Sequence, residues 1–169
     1  VVLDEDGRTE LERFSFPRQA ERRRLCISDF FGEDDVIGMS CVTVGEEATA
    51  RCKSLFESGD FSEYLYLHGF AVETAEALAE LWHKRMRAEL GIDADDAVTP
   101  EELFRQQYRG SRYSFGYPAC PDMADQTKLF RLLHPERIGC RLTENHQIDP
   151  EQSTSAIVVH HPEAKYFAL

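Results

Sequence analysis

The sequence predicts an α+β fold, a twisted antiparallel or mixed sheet flanked by helices, on three observations. Two strongly apolar, β-branched segments, Asp35–Gly45 (DVIGMSCVTVG) and Ser155–His161 (SAIVVHH), read as strands. Between them, from about Ser62 to Leu90, apolar residues recur at spacings of three and four, the signature of a long amphipathic helix. Between that helix and the second strand, the stretch Tyr108–Pro121 (YRGSRYSFGYPACP) fits neither element. Gly116, Pro118 and Pro121 deny it a regular ladder, and no apolar period runs through it.

The elements follow in order. Val1–Phe16 reads as a β-hairpin, with VVL and the alternating ELERFSF on either side of Asp6-Gly7. Pro17 ends its second strand. The run Arg22, Arg23, Arg24 is a solvated face or, on the sharper reading, a dock for an acidic partner. Leu25–Phe31 (LCISDFF) reads as an extended apolar segment holding one carboxylate, Asp29, which either caps a turn or accepts a hydrogen bond from a ligand's ammonium group. Asp35–Gly45 reads as a central strand covered on both faces, so helices are expected to pack on the sheet.

Glu46–Ser58 fits a short helix with acidic residues in its first turn. The long helix follows, with Leu67, Ala71, Ala75, Leu78, Trp82 and Met86 on its expected buried stripe and Gly91 at its C-terminal cap. Glu76, Glu80 and His83 form a neighbouring stripe, read as a helix edge with Glu80 and Lys84 as an i,i+4 pair. Asp93–Pro100 is an acidic connector, and Thr99-Pro100-Glu101-Glu102 opens another short helix. After the irregular stretch, Asp122–Leu133 is helical, Leu142–Ile148 returns extended, and a turn at His161-Pro162-Glu163 leads to a final strand, KYFAL.

The totals bound the function. A chain of 169 residues fits one domain with one core. A net charge of -12 argues against non-specific nucleic-acid binding and against an anionic membrane surface. No run approaches the roughly 18 apolar residues of a membrane span, and no signal-peptide pattern opens the sequence. Five cysteines without a C-x-x-C pair point to reduced thiols in a cytoplasmic setting. The chain starts at Val1, within a predicted strand, and is expected to be a piece of something longer.

Chemistry is harder to find. Glu80 and His83 have the Glu-x-x-His spacing of di-iron bundles, but the second motif that chemistry needs is missing from the sequence. Adjacent His160 and His161 point to opposite faces of a strand and do not readily share one ion. No nucleophile triad, paired-carboxylate arrangement, Walker loop or dinucleotide fingerprint stands out. The arginine- and tyrosine-rich stretch Tyr108–Pro121 remains, suited either to a small-molecule loop or to a packed structural one.

At RGSRYSFGYPACPD the sequence resembles the S-adenosylmethionine-binding activation domain of cobalamin-dependent methionine synthases. ISDFF, DVIGMSCVTVG, AEALAELWHKRMR, LFRLLHPERIGCRLTEN, PEQSTSA and HPEAKYFAL agree with that family in the same order. The resemblance covers nearly the whole chain, read as the central part, 1–169, of a larger activation domain. Ser114 and Phe115 stand where many relatives have alanine and proline, and Gln106 stands where the family is often acidic.

The resemblance implies a domain that holds S-adenosylmethionine over cobalamin and supports reductive remethylation of cob(II)alamin to methylcobalamin, reactivating a homocysteine methyltransferase. Asp29 would bind the methionyl ammonium, and Arg112 the methionyl portion and carboxylate. The Ser114 backbone would meet the ligand, Tyr166 and Phe167 would line its other side, and Tyr117 would face the corrin. Glu76 is a lesser candidate. No catalytic residue and no metal ligand is expected on this chain. Cobalamin would be held mainly by another domain of the same enzyme, and zinc is expected only in a domain outside this chain. A flavodoxin-like protein would supply the electron. The alternatives are a free-standing activation-like protein serving another corrinoid enzyme and a non-catalytic partner-docking module.

Overall fold

Asp4 organises the first turn: its Oδ1 accepts hydrogen bonds from the backbone N–H groups of Arg8 and Thr9, at 3.0 and 3.2 Å. Strand β1 (Val2–Leu3) thereby folds back antiparallel on β2 (Glu10–Glu12), as the Asp6-Gly7 turn predicts. The second strand is shorter than expected because Phe14 and Phe16 leave the ladder to pack on the main core. The computed structural model describes residues 1–21, 23–94 and 96–168; Arg22, in the middle of the arginine run, and Leu169, the last residue of the expected final strand, lie outside the described residues.

The segment expected to be extended at LCISDFF is a 3-10 helix over Ile27–Phe30. The cause is local. Oδ2 of Asp29 accepts the backbone N–H of Cys26 at 3.1 Å and closes the turn onto its own start. Beyond it lie β3 (Gly38–Thr43), α1 (Glu46–Glu57), α2 (Phe61–Glu89), α3 (Pro100–Phe104), β4 (Ser111–Tyr113), α4 (Gln126–Leu133), the two-residue strands β5 (Arg141–Leu142) and β6 (Ile148–Asp149), and β7 (Ser153–Val159).

The main sheet has three antiparallel strands in the order β3-β7-β4. Three expectations change here. First, β3 is an edge strand, and the central place belongs to β7, which pairs Gly38↔Val158 through Thr43↔Ser153 on one side and Ser111↔Val159 through Tyr113↔Ile157 on the other. Second, the stretch 108–121 is not irregular throughout, because Ser111–Tyr113 forms β4. Third, residues 160–168 form no strand: β4 already occupies that side of β7, and the segment is tied instead by the Tyr113 hydroxyl donating to the Lys165 carbonyl at 2.9 Å. The expected extended run Leu142–Ile148 is a tight hairpin, β5 against β6, preceded by a 3-10 turn at Pro135–Ile138.

Alternation along the strands separates two faces. Ile157 and Val159 of β7, with Tyr113 of β4, enter the core together with Ile27, Phe115 and Leu129. Gly38, Ser40, Ala156, Val158 and Arg112 alternate with these residues and point to the face covered by α2. That helix buries Ala71 and Ala75 as expected, but the buried line continues at a strict spacing of four through Ala79, His83 and Arg87 instead of through Leu78, Trp82 and Met86. Trp82 is 42% exposed. Apolarity alone mispredicts the rotation because alanines let the helix lie close to the sheet, and because His83 and Arg87 find partners inside. The approach is tight at Gly38, where a Cβ would stand 2.7 Å from Met86 Cε and 2.9 Å from Val158 Cβ.

The helix ends match their signals. Asp60 caps α2, Gly91 follows its end in the left-handed region, and Thr99 caps α3 ahead of Pro100. No helix among the described residues is long and apolar enough to cross a membrane.

Candidate functional site

Where α2 crosses the sheet, the side chains facing each other are small: Ala79 on the helix, Ser40 on β3, Thr154 and Ala156 on β7. They leave a pocket of about 240 Å³. The segments around β4 close it. Arg112 projects from β4 on the α2 side, Ser114 and Tyr117 follow in the turn, Gln106 and Tyr108 precede, and Tyr166 comes from the C-terminal segment. Glu76 on α2 completes the wall. A second cavity of about 530 Å³ adjoins it and shares Glu76, Ser114, Tyr117, Thr154 and Ser155, so the pocket opens past Tyr117 into a longer cleft.

The site's charges rest on a partly buried network. Arg112 Nη2 donates to Glu80 Oε2 at 3.2 Å, and the Tyr108 hydroxyl donates to the same oxygen at 3.2 Å. Arg87, 1% exposed, donates from Nε to both oxygens of Asp96 (3.0 and 2.9 Å) and stacks its guanidinium 3.9 Å from the centre of the Tyr108 ring. Its Nη2 also lies 2.8 Å from Asp96 Oδ2, an ion pair by distance that lacks hydrogen-bond alignment. His83 packs edge-on against Tyr108, ring centroids 5.1 Å apart. Burial, with the charges of Arg87 and Arg112 adding to it, lowers the His83 pKa to about 3, so the ring is neutral. Burial and Glu80 push the Tyr108 hydroxyl up to about 12, so it remains a donor.

Of the residues singled out in the sequence, Arg112, Ser114, Tyr117, Tyr166 and Glu76 come together in one pocket, with Gln106 beside them. Tyr117 stands at the mouth, 58% exposed. Two do not join them. Asp29 is exposed and gripped by Arg18, whose Nη1 and Nη2 each donate to one carboxylate oxygen at 2.6 Å. That hydrogen bonding holds its carboxyl below the usual range. Phe167 is buried in the core against Tyr113 and Phe30. Glu80, read as the i,i+4 partner of Lys84, instead points inward to Arg112.

Sequence reasoning missed Ser40, Ala79, Thr154 and Ala156. Their signal was present, small or polar residues interrupting otherwise bulky apolar segments, but only the register between β3, β7 and α2 makes it readable. The five cysteines are all free thiols. Among the described residues no group of three potential ligands is placed to hold a metal ion.

Comparison with known proteins agrees with this architecture. The family model described as "Vitamin B12 dependent methionine synthase, activation domain" matches residues 1–169. Methionine synthase of Mycobacterium tuberculosis is 47% identical over 92% of this chain, and that of Mycobacterium leprae 46% identical over 99%. These alignments span 14% and 15% of the two relatives, so the chain corresponds to about one seventh of their length. A crystal structure of the MetH reactivation domain bound to AdoHcy superposes with a TM-score of 0.90 at 31% identity, over 98% of this chain and 54% of that one. With its small-walled pocket, Arg112 on β4 with the Ser114–Tyr117 turn after it, and a match from end to end, the chain belongs to the family of activation domains of vitamin B12-dependent methionine synthases.

Proposed function

We propose that the pocket between α2 and the β4 segments binds S-adenosylmethionine, and that the domain presents its methyl group for reductive reactivation of a cobalamin-dependent homocysteine methyltransferase. The observation that carries this reading is Arg112. It is a guanidinium lining a concave site, held from behind by Glu80 and free to place its other nitrogens on a carboxylate. The ligand in the similar MetH structure, AdoHcy, is what S-adenosylmethionine becomes on losing its methyl group, which supports the same ligand class here.

The residues divide the work. Arg112 holds the methionyl carboxylate. Glu76, the carboxylate in the pocket wall, takes the ammonium role that the sequence suggested for Asp29, which Arg18 already occupies. The Ser114 backbone and Tyr166 flank the ligand, and the cleft past Tyr117 gives an extended nucleoside room. Bound cobalamin supplies the reduced cobalt that accepts the methyl group. The exposed Tyr117 ring at the mouth fits that cofactor's flat face, since a phenol packs on a macrocycle and still hydrogen-bonds. This chain contributes orientation and exclusion of water, with no proton transfer required of it.

The implied partners are a cobalamin-binding domain of the same enzyme and a flavodoxin-like electron donor, and the free thiols fit a cytoplasmic setting. Calorimetric titration with S-adenosylmethionine and with AdoHcy tests the reading: saturable one-to-one binding of both is expected, and its absence in the intact folded protein contradicts it.

A further inference from the structure

We infer that Lys165 is a positioning residue for the ligand pocket, an ammonium strap that joins the pocket's two independently derived walls; the inference rests on the S-adenosylmethionine reading above. The residue lies in the C-terminal segment, directly before Tyr166, which lines the pocket. Its Nζ donates to the carbonyl oxygens of Gln106 at 2.9 Å and Tyr108 at 2.8 Å, across 59 and 57 residues of sequence. Gln106 and Tyr108 line the same pocket from a different segment of the chain.

Three features make this a strap and not a passing surface contact. Lys165 is itself anchored, because the Tyr113 hydroxyl donates to its carbonyl at 2.9 Å, and Tyr113 follows Arg112 on β4. The carbonyls it holds lie just past α3, where the N–H groups of Gln106 and Gln107 close onto Leu103 and Glu102 at 2.9 and 3.1 Å while the Gln106 and Tyr108 carbonyls take the ammonium. Gln106 there has φ +55, the left-handed conformation that closes the end of α3, and its carbonyl is turned toward Lys165. The ammonium is partly desolvated and lies 5.8 Å from the Tyr108 ring centre, beside Arg87. Two charge-assisted bonds to carbonyls offset the proximity of like charge.

The consequence is a division of labour around Tyr108. Its ring and hydroxyl are held by Arg87 and Glu80, and its carbonyl by Lys165. Removing the Lys165 side chain leaves the Tyr108 ring and the Tyr113-anchored segment in place but unties the Gln106 and Tyr108 carbonyls from that segment, so the ligand meets walls that are no longer set apart at one distance.

The test uses the intact protein that contains this domain, with Lys165→Met to remove the ammonium and Lys165→Arg to restore a cation with donors. Amide hydrogen exchange on the ligand-free protein reads the strap without reference to any ligand. Exchange at 106–108 is expected to accelerate in Lys165→Met and to be largely restored in Lys165→Arg. Titration with S-adenosylmethionine is expected to show about tenfold weaker binding in Lys165→Met, the order of magnitude of a lost charge-assisted hydrogen bond, with recovery in Lys165→Arg. Unchanged exchange and affinity in Lys165→Met overturn the inference. So does a parallel fall of melting temperature and affinity in both variants, which is the mark of a general packing role. If the wild-type protein fails to bind S-adenosylmethionine, the ligand assignment fails on its own, and exchange at 106–108 still decides the strap.

Discussion

Arg112 and Tyr108, one on β4 and one four residues before it, share a single carboxylate oxygen: Oε2 of Glu80 accepts a hydrogen bond from each at 3.2 Å. The carboxylate comes from the middle of α2, so the helix aims the guanidinium of the opposite wall. Glu80→Gln keeps the shape but loses the charge and one strong acceptor. Ligand affinity is expected to fall by about three- to tenfold, in proportion to one charge-assisted hydrogen bond partly exposed to solvent. Titration of the folded variant checks it, and affinity equal to wild type would show that Arg112 needs no orienting partner.

Asp29 and Glu76 are separated by the same kind of measurement. Asp29 is bound by Arg18 outside the pocket, whereas Glu76 lines it. Asp29→Ala is therefore expected to leave S-adenosylmethionine affinity within about twofold and Glu76→Gln to reduce it about tenfold, the usual cost of losing a charged partner. The reverse ranking would return the ammonium role to Asp29.

His83 makes stability depend on pH. Its pKa is about 3 in the folded chain, against 6.5 as the ordinary value. As pH falls below 6.5 the unfolded chain takes up a proton that the folded chain refuses, so stability is full above that value and is lost progressively toward pH 3, at up to about 1.4 kcal/mol per pH unit for one group. His83→Phe keeps an aromatic ring against Tyr108. Between pH 6.5 and 5 the wild type is expected to lose melting temperature faster than His83→Phe; parallel curves would mean that the ring is protonated in the folded state.

Gly38 sets the distance between α2 and the sheet. An alanine Cβ would meet Val158 Cβ at 2.9 Å, a contact with the central strand that cannot rotate away, in addition to the flexible end of Met86. Gly38→Ala is expected to destabilise the domain by about 1–3 kcal/mol in chemical denaturation, as overpacked sites do. A neutral substitution would show that the helix can lift off the sheet without cost.

Much of this architecture was legible in the sequence, and what was not has a common cause. The hairpin at Asp6-Gly7, the caps at Thr99 and Gly91, and the long helix are local signals, written within a few residues of where they act. The edge position of β3, the pairing of β4 with β7 and the burial of His83 and Arg87 are not. They depend on partners outside the local window, Val158 for Gly38 and Val159 for Ser111, and an arginine reads as surface until Asp96 and Tyr108 are seen around it. The site divides in the same way. Arg112, Ser114 and Tyr117 were visible as a motif, whereas Ser40, Ala79 and Ala156 work by being small opposite one another, which only register reveals. Asp29 pairs with Arg18 away from that pocket, a contact the sequence does not announce because Arg18 sits in a segment with no periodicity.

Calorimetric titration of S-adenosylmethionine into the wild-type protein and into Arg112→Ala tests the pocket assignment most directly. Saturable binding is expected for the wild type and at least about tenfold weaker binding for the folded variant, the loss expected when a carboxylate forfeits its guanidinium partner. Equal affinity in the two proteins would place the ligand somewhere other than the pocket between α2 and β4.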